Sequence, residues 1–68
     1  MDAQIKHIDR CYRDQRGQLV HVIAWDASRR RVIFRRAGYA YECMQPLEQF
    51  QRKFTRTDDA AWRRQEGL

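Results

Sequence analysis

From Ile5 to Met44 the chain alternates apolar and polar positions or runs briefly apolar, with turn residues at regular intervals. This period-two pattern predicts strands. In "YRDQRGQLV" a strand ends, a turn covers Asp14 to Gly17, and a new strand begins. Asp14 has a side chain suited to folding onto nearby backbone N–H groups, and Gly17 accepts a positive φ. The strand from Gln18 to Trp25 is apolar on both sides, with Val20, Val22 and Ala24 on one face and Leu19, Ile23 and Trp25 on the other. Such a strand belongs at the centre of a sheet or in a sheet curled on itself. Asp26-Ala27-Ser28 predicts a turn, and Arg30 to Phe34 a third strand with Val32 and Phe34 on the face opposite Arg31, Ile33 and Arg35. After the turn at Ala37-Gly38, a fourth strand is expected in Tyr39 to Cys43, with Glu42 in water and Tyr41 and Cys43 inward.

Beyond Met44 the period changes. Pro46 suits the first turn of a helix, and Leu47, Phe50 and Phe54 form one helical stripe able to close the open end of the sheet. Thr57-Asp58-Asp59 offers N-cap residues for a last short helix, whose single large apolar residue is Trp62. That tail is expected to dock weakly or fray. The pattern predicts a mainly β, small α+β fold, either an SH3-like barrel or a curled antiparallel meander of four to five strands closed by a helical segment. An open sheet with the helix packed across one face is the alternative. Residues 1–56 read as one small domain and 57–68 as a C-terminal extension. The expected core is Val20, Val22, Val32, Phe34, Tyr41, Leu47, Phe50 and Phe54.

Composition sharpens this picture in one place. The chain has 68 residues, 43% of them hydrophobic, with 14 Lys+Arg against 9 Asp+Glu. The net charge of +5 equals the contribution of five arginines, Arg29, Arg30, Arg31, Arg35 and Arg36, in a stretch with no acid between them. A local excess of this kind favours an anionic partner. Guanidinium groups fork onto phosphate or carboxylate and stack on flat rings. With Arg31 and Arg35 on one strand face and Arg30 and Arg36 on the other, the run forms a basic edge on two sides. Tyr39, Tyr41 and Trp25 are the aromatics near enough to interleave.

Two function classes follow. A basic groove with stacking rings suits single-stranded nucleic acid, while arginines divided over two faces suit an acidic protein surface. The second is favoured, and the binding residues are Arg29, Arg30, Arg31, Arg35, Arg36, Tyr39 and Trp25 in either case. Charged strand residues also discourage edge-to-edge aggregation. Enzymatic activity is not expected, since no nucleophile elbow, phosphate loop or HExxH motif occurs. A Cys43–His21 pairing would need a water-excluding cleft that so short a chain has little room to build. No cofactor or metal is expected, because His7 and His21 are isolated and no CxxC is present. Cys11 and Cys43 are expected as free thiols. The polar N-terminus lacks the order of a signal peptide, and the longest apolar run, Val22 to Trp25, is far below the roughly 20 residues of a membrane helix. A cytoplasmic protein is expected.

Three ordered segments carry a family resemblance: Tyr12-x-Asp14-x-x-Gly17, then Val32-Ile33-Phe34-x-Arg36-x-Gly38-Tyr39, then Cys43-x-x-Pro46-Leu47-x-x-Phe50-x-x-Lys53-Phe54. The set, from about Arg10 to Arg56, resembles a family of short proteins encoded by phages and prophages of enteric bacteria and known as a domain of unknown function. The resemblance implies an accessory phage product in the bacterial cytoplasm that binds a host or phage macromolecule. It implies no catalytic residue.

Overall fold

The structure, a computed structural model, describes residues 5–62. Its elements are β1 (Ile5–Arg13), β2 (Leu19–Asp26), β3 (Arg31–Arg36), β4 (Glu42–Pro46), α1 (Leu47–Lys53) and β5 (Thr55–Arg56). They build one antiparallel sheet in the order β4-β3-β2-β1-β5. The fold is a small α+β curled meander. The sheet stays open between β4 and β5, so the barrel is not formed and the meander is. β2, apolar on both faces, takes the central position its composition called for.

Turn chemistry accounts for the hairpins. Asp14 Oδ1 accepts the backbone N–H groups of Arg16 and Gln18, each at 2.9 Å, and Gly17 has φ +83°. This is an Asx turn completed by a residue whose φ favours glycine. At the next turn Asp26, fully buried, accepts the Ser28 hydroxyl at 3.0 Å and the Arg29 N–H at 3.3 Å through Oδ1. Arg30 then adopts φ 51°, which places it in the turn and not on a strand. The expectation that it shares a strand face with Arg36 is therefore corrected.

The inner face holds Val20, Val22, Val32 and Phe34 beneath Phe50 and Phe54, with Ile8, Tyr12, Cys43 and Leu47 packed around them. The Phe50 and Phe54 rings stack at 4.3 Å with 9° between planes, and Phe34 lies 5.4 and 5.3 Å from them. Leu47 is only half-buried.

Two departures from the simple alternation matter. Val22 pairs with Phe34 but Ala24 pairs with Ile33, so β2 carries a bulge at Ile23. One extra residue inverts the faces beyond it. Trp25, expected beside Leu19 and Ile23, instead pairs with Val32 and packs against the inner core. Tyr41, expected in the core, is 71% exposed. It precedes β4 in the loop that Gly38 opens at φ +76°, where no ladder imposes a facing.

A second, smaller cluster lies on the outer face, where Cys11 and Leu19 bury Ala61 with Trp62 against them. Asp58 caps Ala60 through its carboxylate at 3.0 Å, as an N-cap residue does. The Thr57 N–H donates to the Cys11 carbonyl at 3.0 Å, and the Cys11 N–H donates to Asp59 Oδ1 at 3.0 Å. Residues 57–62 are thus tied to β1 through both backbone groups of one residue, Cys11. The rest of the expected C-terminal helix, residues 63–68, lies outside the described residues.

Candidate functional site

Strand alternation places Arg31 and Arg35 with Ile33 on the outer face of β3, and Arg36 with Val32 and Phe34 on the inner face. Carboxylates from outside the run converge on these arginines. Asp26 Oδ2 lies 3.4 Å from both Arg29 Nη1 and Arg31 Nε. Asp14 Oδ2 accepts Arg36 Nη1 at 3.1 Å. Glu42, facing Arg35 across the β3–β4 ladder, comes within 4.0 Å of it. Three acids therefore meet four of the five arginines. Arg30 makes no ion pair among the described residues.

The carboxylates are held as anions. Burial works to raise the Asp26 carboxyl, but the Arg29 N–H, the Ser28 hydroxyl and the Arg29 guanidinium outweigh it and hold the group below its ordinary value. Asp14 is lowered chiefly by the Gln18 N–H, with Arg36 and the Arg16 N–H adding to it against the opposing effect of burial. Arg36 lies over the rings of both Phe34 and Phe54, 5.7 Å from each centroid. It acts as a lid on the core as much as a surface cation.

Around Arg31 and Arg35 the surface is partly apolar. Met44, opposite Ile33 on β4, is 49% exposed. Tyr39 and Tyr41, exposed at the β3–β4 loop, meet edge to face at 5.7 Å. A recess of about 240 Å³ lies between Arg29, Arg31, Met44, Gln45 and Pro46. Of the candidate residues, Arg31 and Arg35 share the outer face of β3, Arg29 and Arg30 stand in the turn at its Arg31 end, and Tyr39 stands in the loop beyond its Arg36 end. Arg36 and Trp25 are turned to the inner face and do not join them.

The sequence reading missed a second concavity. An apolar cleft of about 290 Å³ opens between β1 and α1, floored by Val22, Trp25 and Val32 and walled by Ile8, Leu47 and Phe50. Lys6 and Arg10, on the same face of β1, stand at its rim. The cleft follows from the lengths of the elements. α1 has seven residues, about 10 Å of helix, over a five-stranded sheet about 19 Å across. It packs on β3 and β4, leaving the Ile5 end of β1 and β2 uncovered. No periodicity signal could have shown this, because it depends on where the helix lands.

Among the described residues no group of three or more His, Cys, Asp or Glu side chains is placed to hold a metal ion. No helix of the described residues is long and apolar enough to cross a membrane. Cys11 and Cys43 lie on β1 and β4, separated by β2 and β3. Three strand spacings, about 14 Å, exceed the span of a disulfide. Burial pushes the Cys11 thiol up from its ordinary value.

A protein-family model matches residues 8–58 and carries the description "Domain of unknown function (DUF4222)". The chain belongs to the DUF4222 family. No curated protein and no solved structure matches it. The DUF4222 span takes in all five strands from Ile8 onward, α1, and Asp14, Asp26 and Glu42 with the arginines they meet. It ends at Asp58, so Asp59, which accepts the Cys11 N–H, and Ala61 and Trp62, which pack the outer cluster, lie beyond the DUF4222 match.

Proposed function

We propose that this chain is a non-catalytic binding module, the product of a phage or prophage gene, that engages a host or phage protein in the bacterial cytoplasm through the outer face of β3 and β4. The observation that carries the reading is the meeting of three carboxylates with four of the five arginines. A groove that tracks a phosphate backbone works by exchanging free cationic charge for released counterions. Here much of that charge is already spent inside the fold. What remains is the guanidinium groups of Arg31 and Arg35 on the outer face, with exposed Met44 on the neighbouring strand and the exposed Tyr39–Tyr41 pair in the loop that follows β3, residue types enriched in protein interfaces. The phage assignment and the cytoplasmic location rest on the resemblance of the three ordered motifs.

The alternative partner is nucleic acid, favoured by the total of five arginines, and a salt titration separates the two. Protein recognition leaves nucleic-acid affinity at the weak, non-specific level of roughly 10⁻⁴ to 10⁻⁶ M at physiological salt. Capture from nuclease-treated host lysate then yields a defined protein whose affinity falls in the Arg35→Ala, Tyr39→Ala and Tyr41→Ala variants. Submicromolar nucleic-acid binding near about 0.15 M salt, lost in an Arg31→Gln, Arg35→Gln variant, overturns the reading.

A further inference from the structure

The cleft beside β1 has three properties that converge on one kind of occupant. Its floor and walls are apolar, with Ile8 and Trp25 only half-buried. None of its lining residues is acidic, while Lys6 and Arg10 are both at the rim and make no ion pair among the described residues. Its third property is the edge of β1. β5 pairs with β1 only at Tyr12 and Arg13, and the Cys11 N–H and C=O on that same edge are taken by Asp59 and Thr57. From Ile5 to Ile8 no strand lies beyond β1 among the described residues.

We infer that this cleft receives an acidic protein segment in extended form, which pairs with β1 along Ile5 to Ile8, seats an apolar side chain against Ile8 and Trp25, and sets its carboxylates against Lys6 and Arg10. Strand addition supplies backbone hydrogen bonds without sequence preference, and the pocket and rim supply the preference. Charge selects this occupant over a second copy of the chain. Two β1 edges paired about a two-fold axis would bring the Lys6 and Arg10 cations of one copy against those of the other, and like charges across a ladder repel. It is also selected over nucleic acid, because the cleft offers two cations and one open ring. Tyr12 meets Phe50 edge-on at 4.9 Å, with Arg56 over its ring at 5.9 Å, so Trp25 alone is left for stacking, where a nucleic-acid groove uses successive rings along a basic track. The surface differs from the tyrosine loop in residues and in sheet edge, so either proposal stands if the other fails.

The test screens the full chain against a positional-scanning library of short peptides by fluorescence anisotropy, then maps the best peptide by amide chemical shifts. The expected selection is Asp or Glu alternating with a large apolar residue, with shifts at Ile5 to Ile8, the Trp25 indole and Leu47. Lys6→Glu combined with Arg10→Gln removes cations from exposed positions and leaves the melting temperature unchanged. It weakens the acidic peptide by about tenfold, the scale of two exposed charge pairs. Selection without acidic preference, no selection at all, or equal affinity in the variant overturns the inference. So does a single-stranded oligonucleotide that moves the same resonances at lower concentration than any peptide. Shifts confined to Tyr39, Tyr41 and Met44 overturn it while supporting the outer-face reading.

Discussion

The carbonyl oxygen of Arg30 accepts the backbone N–H of Leu47 at 2.9 Å. The middle one of three consecutive arginines thus satisfies a donor in the first turn of α1, where Pro46 offers no side-chain cap. It does so from a left-handed backbone, φ 51°. The turn that carries the charge also positions the helix that closes the core.

That geometry orders a substitution series. For a residue with a Cβ, left-handed backbone costs about 1–2 kcal/mol, and a β-branched residue tolerates it least. Arg30→Gly is expected to melt at or above the native temperature and Arg30→Val clearly below it. Thermal unfolding followed by circular dichroism gives the ranking. A valine variant as stable as the glycine variant would show that the turn relaxes freely.

Phe50 touches Tyr12, Phe34 and Phe54 at ring distances of 4.9, 5.4 and 4.3 Å. Truncation of such a residue costs about 3–5 kcal/mol, much of the roughly 5–15 kcal/mol that stabilises a domain. Phe50→Ala should unfold wholly or in large part, and Phe50→Leu should fold with a lowered urea midpoint. Native-like stability of the alanine variant would mean that α1 is not packed on the sheet.

Acid should unfold the protein through its carboxylates. Asp14, Asp26 and Asp59 are all held below their ordinary value of 3.8 in the folded chain; for Asp59 the main cause is the Arg56 hydrogen bonds, followed by the Cys11 N–H. The unfolded chain therefore binds more protons than the folded one as pH falls below about 4. Their contribution is complete above the ordinary carboxylate value and is lost as pH drops through the folded values. Urea midpoints at pH 7 and pH 3 should differ in the native chain and differ less in Asp14→Asn. Equal midpoints in the native chain would contradict the lowered values.

The two thiols should react in sequence. Cys11 is fully buried and Cys43 half-buried, and alkylation needs an accessible thiolate. Iodoacetamide is expected to label Cys43 in the folded protein and Cys11 only after denaturant is added, as read by peptide mass. Equal rates without denaturant would place Cys11 at the surface.

Much of the fold was legible because its signals are local. Asp14 with Gly17, Gly38, the two-sided strand read over Gln18 to Trp25 and the stripe of Leu47, Phe50 and Phe54 each act within a few residues. The candidate site was less legible because the acids that meet the arginines lie outside the run, and only the turn geometry and strand pairing decide which arginine each one reaches. Asp14 reaches Arg36 across the sheet, and Glu42 reaches Arg35 across a hairpin. Counting charges inside the run could not reveal either acid as a partner. Trp25 was misplaced for a single reason: the bulge at Ile23 leaves no mark in an apolar stretch where both phases look alike. Tyr41 was misplaced because strand alternation was extended into a loop.

The position of β5 governs the order in which the molecule can assemble. β1 to β4 are joined to their neighbours by short turns, whereas Thr55 returns to Arg13 across more than half the chain length. Closing that loop costs chain entropy before any contact rewards it. The hairpins are therefore expected to form early, with β5 docking after the rate-limiting barrier. Weakening its contact, as in Thr55→Gly, should quicken unfolding and leave the refolding rate nearly unchanged. The lifetime of the native state then depends on a two-residue strand.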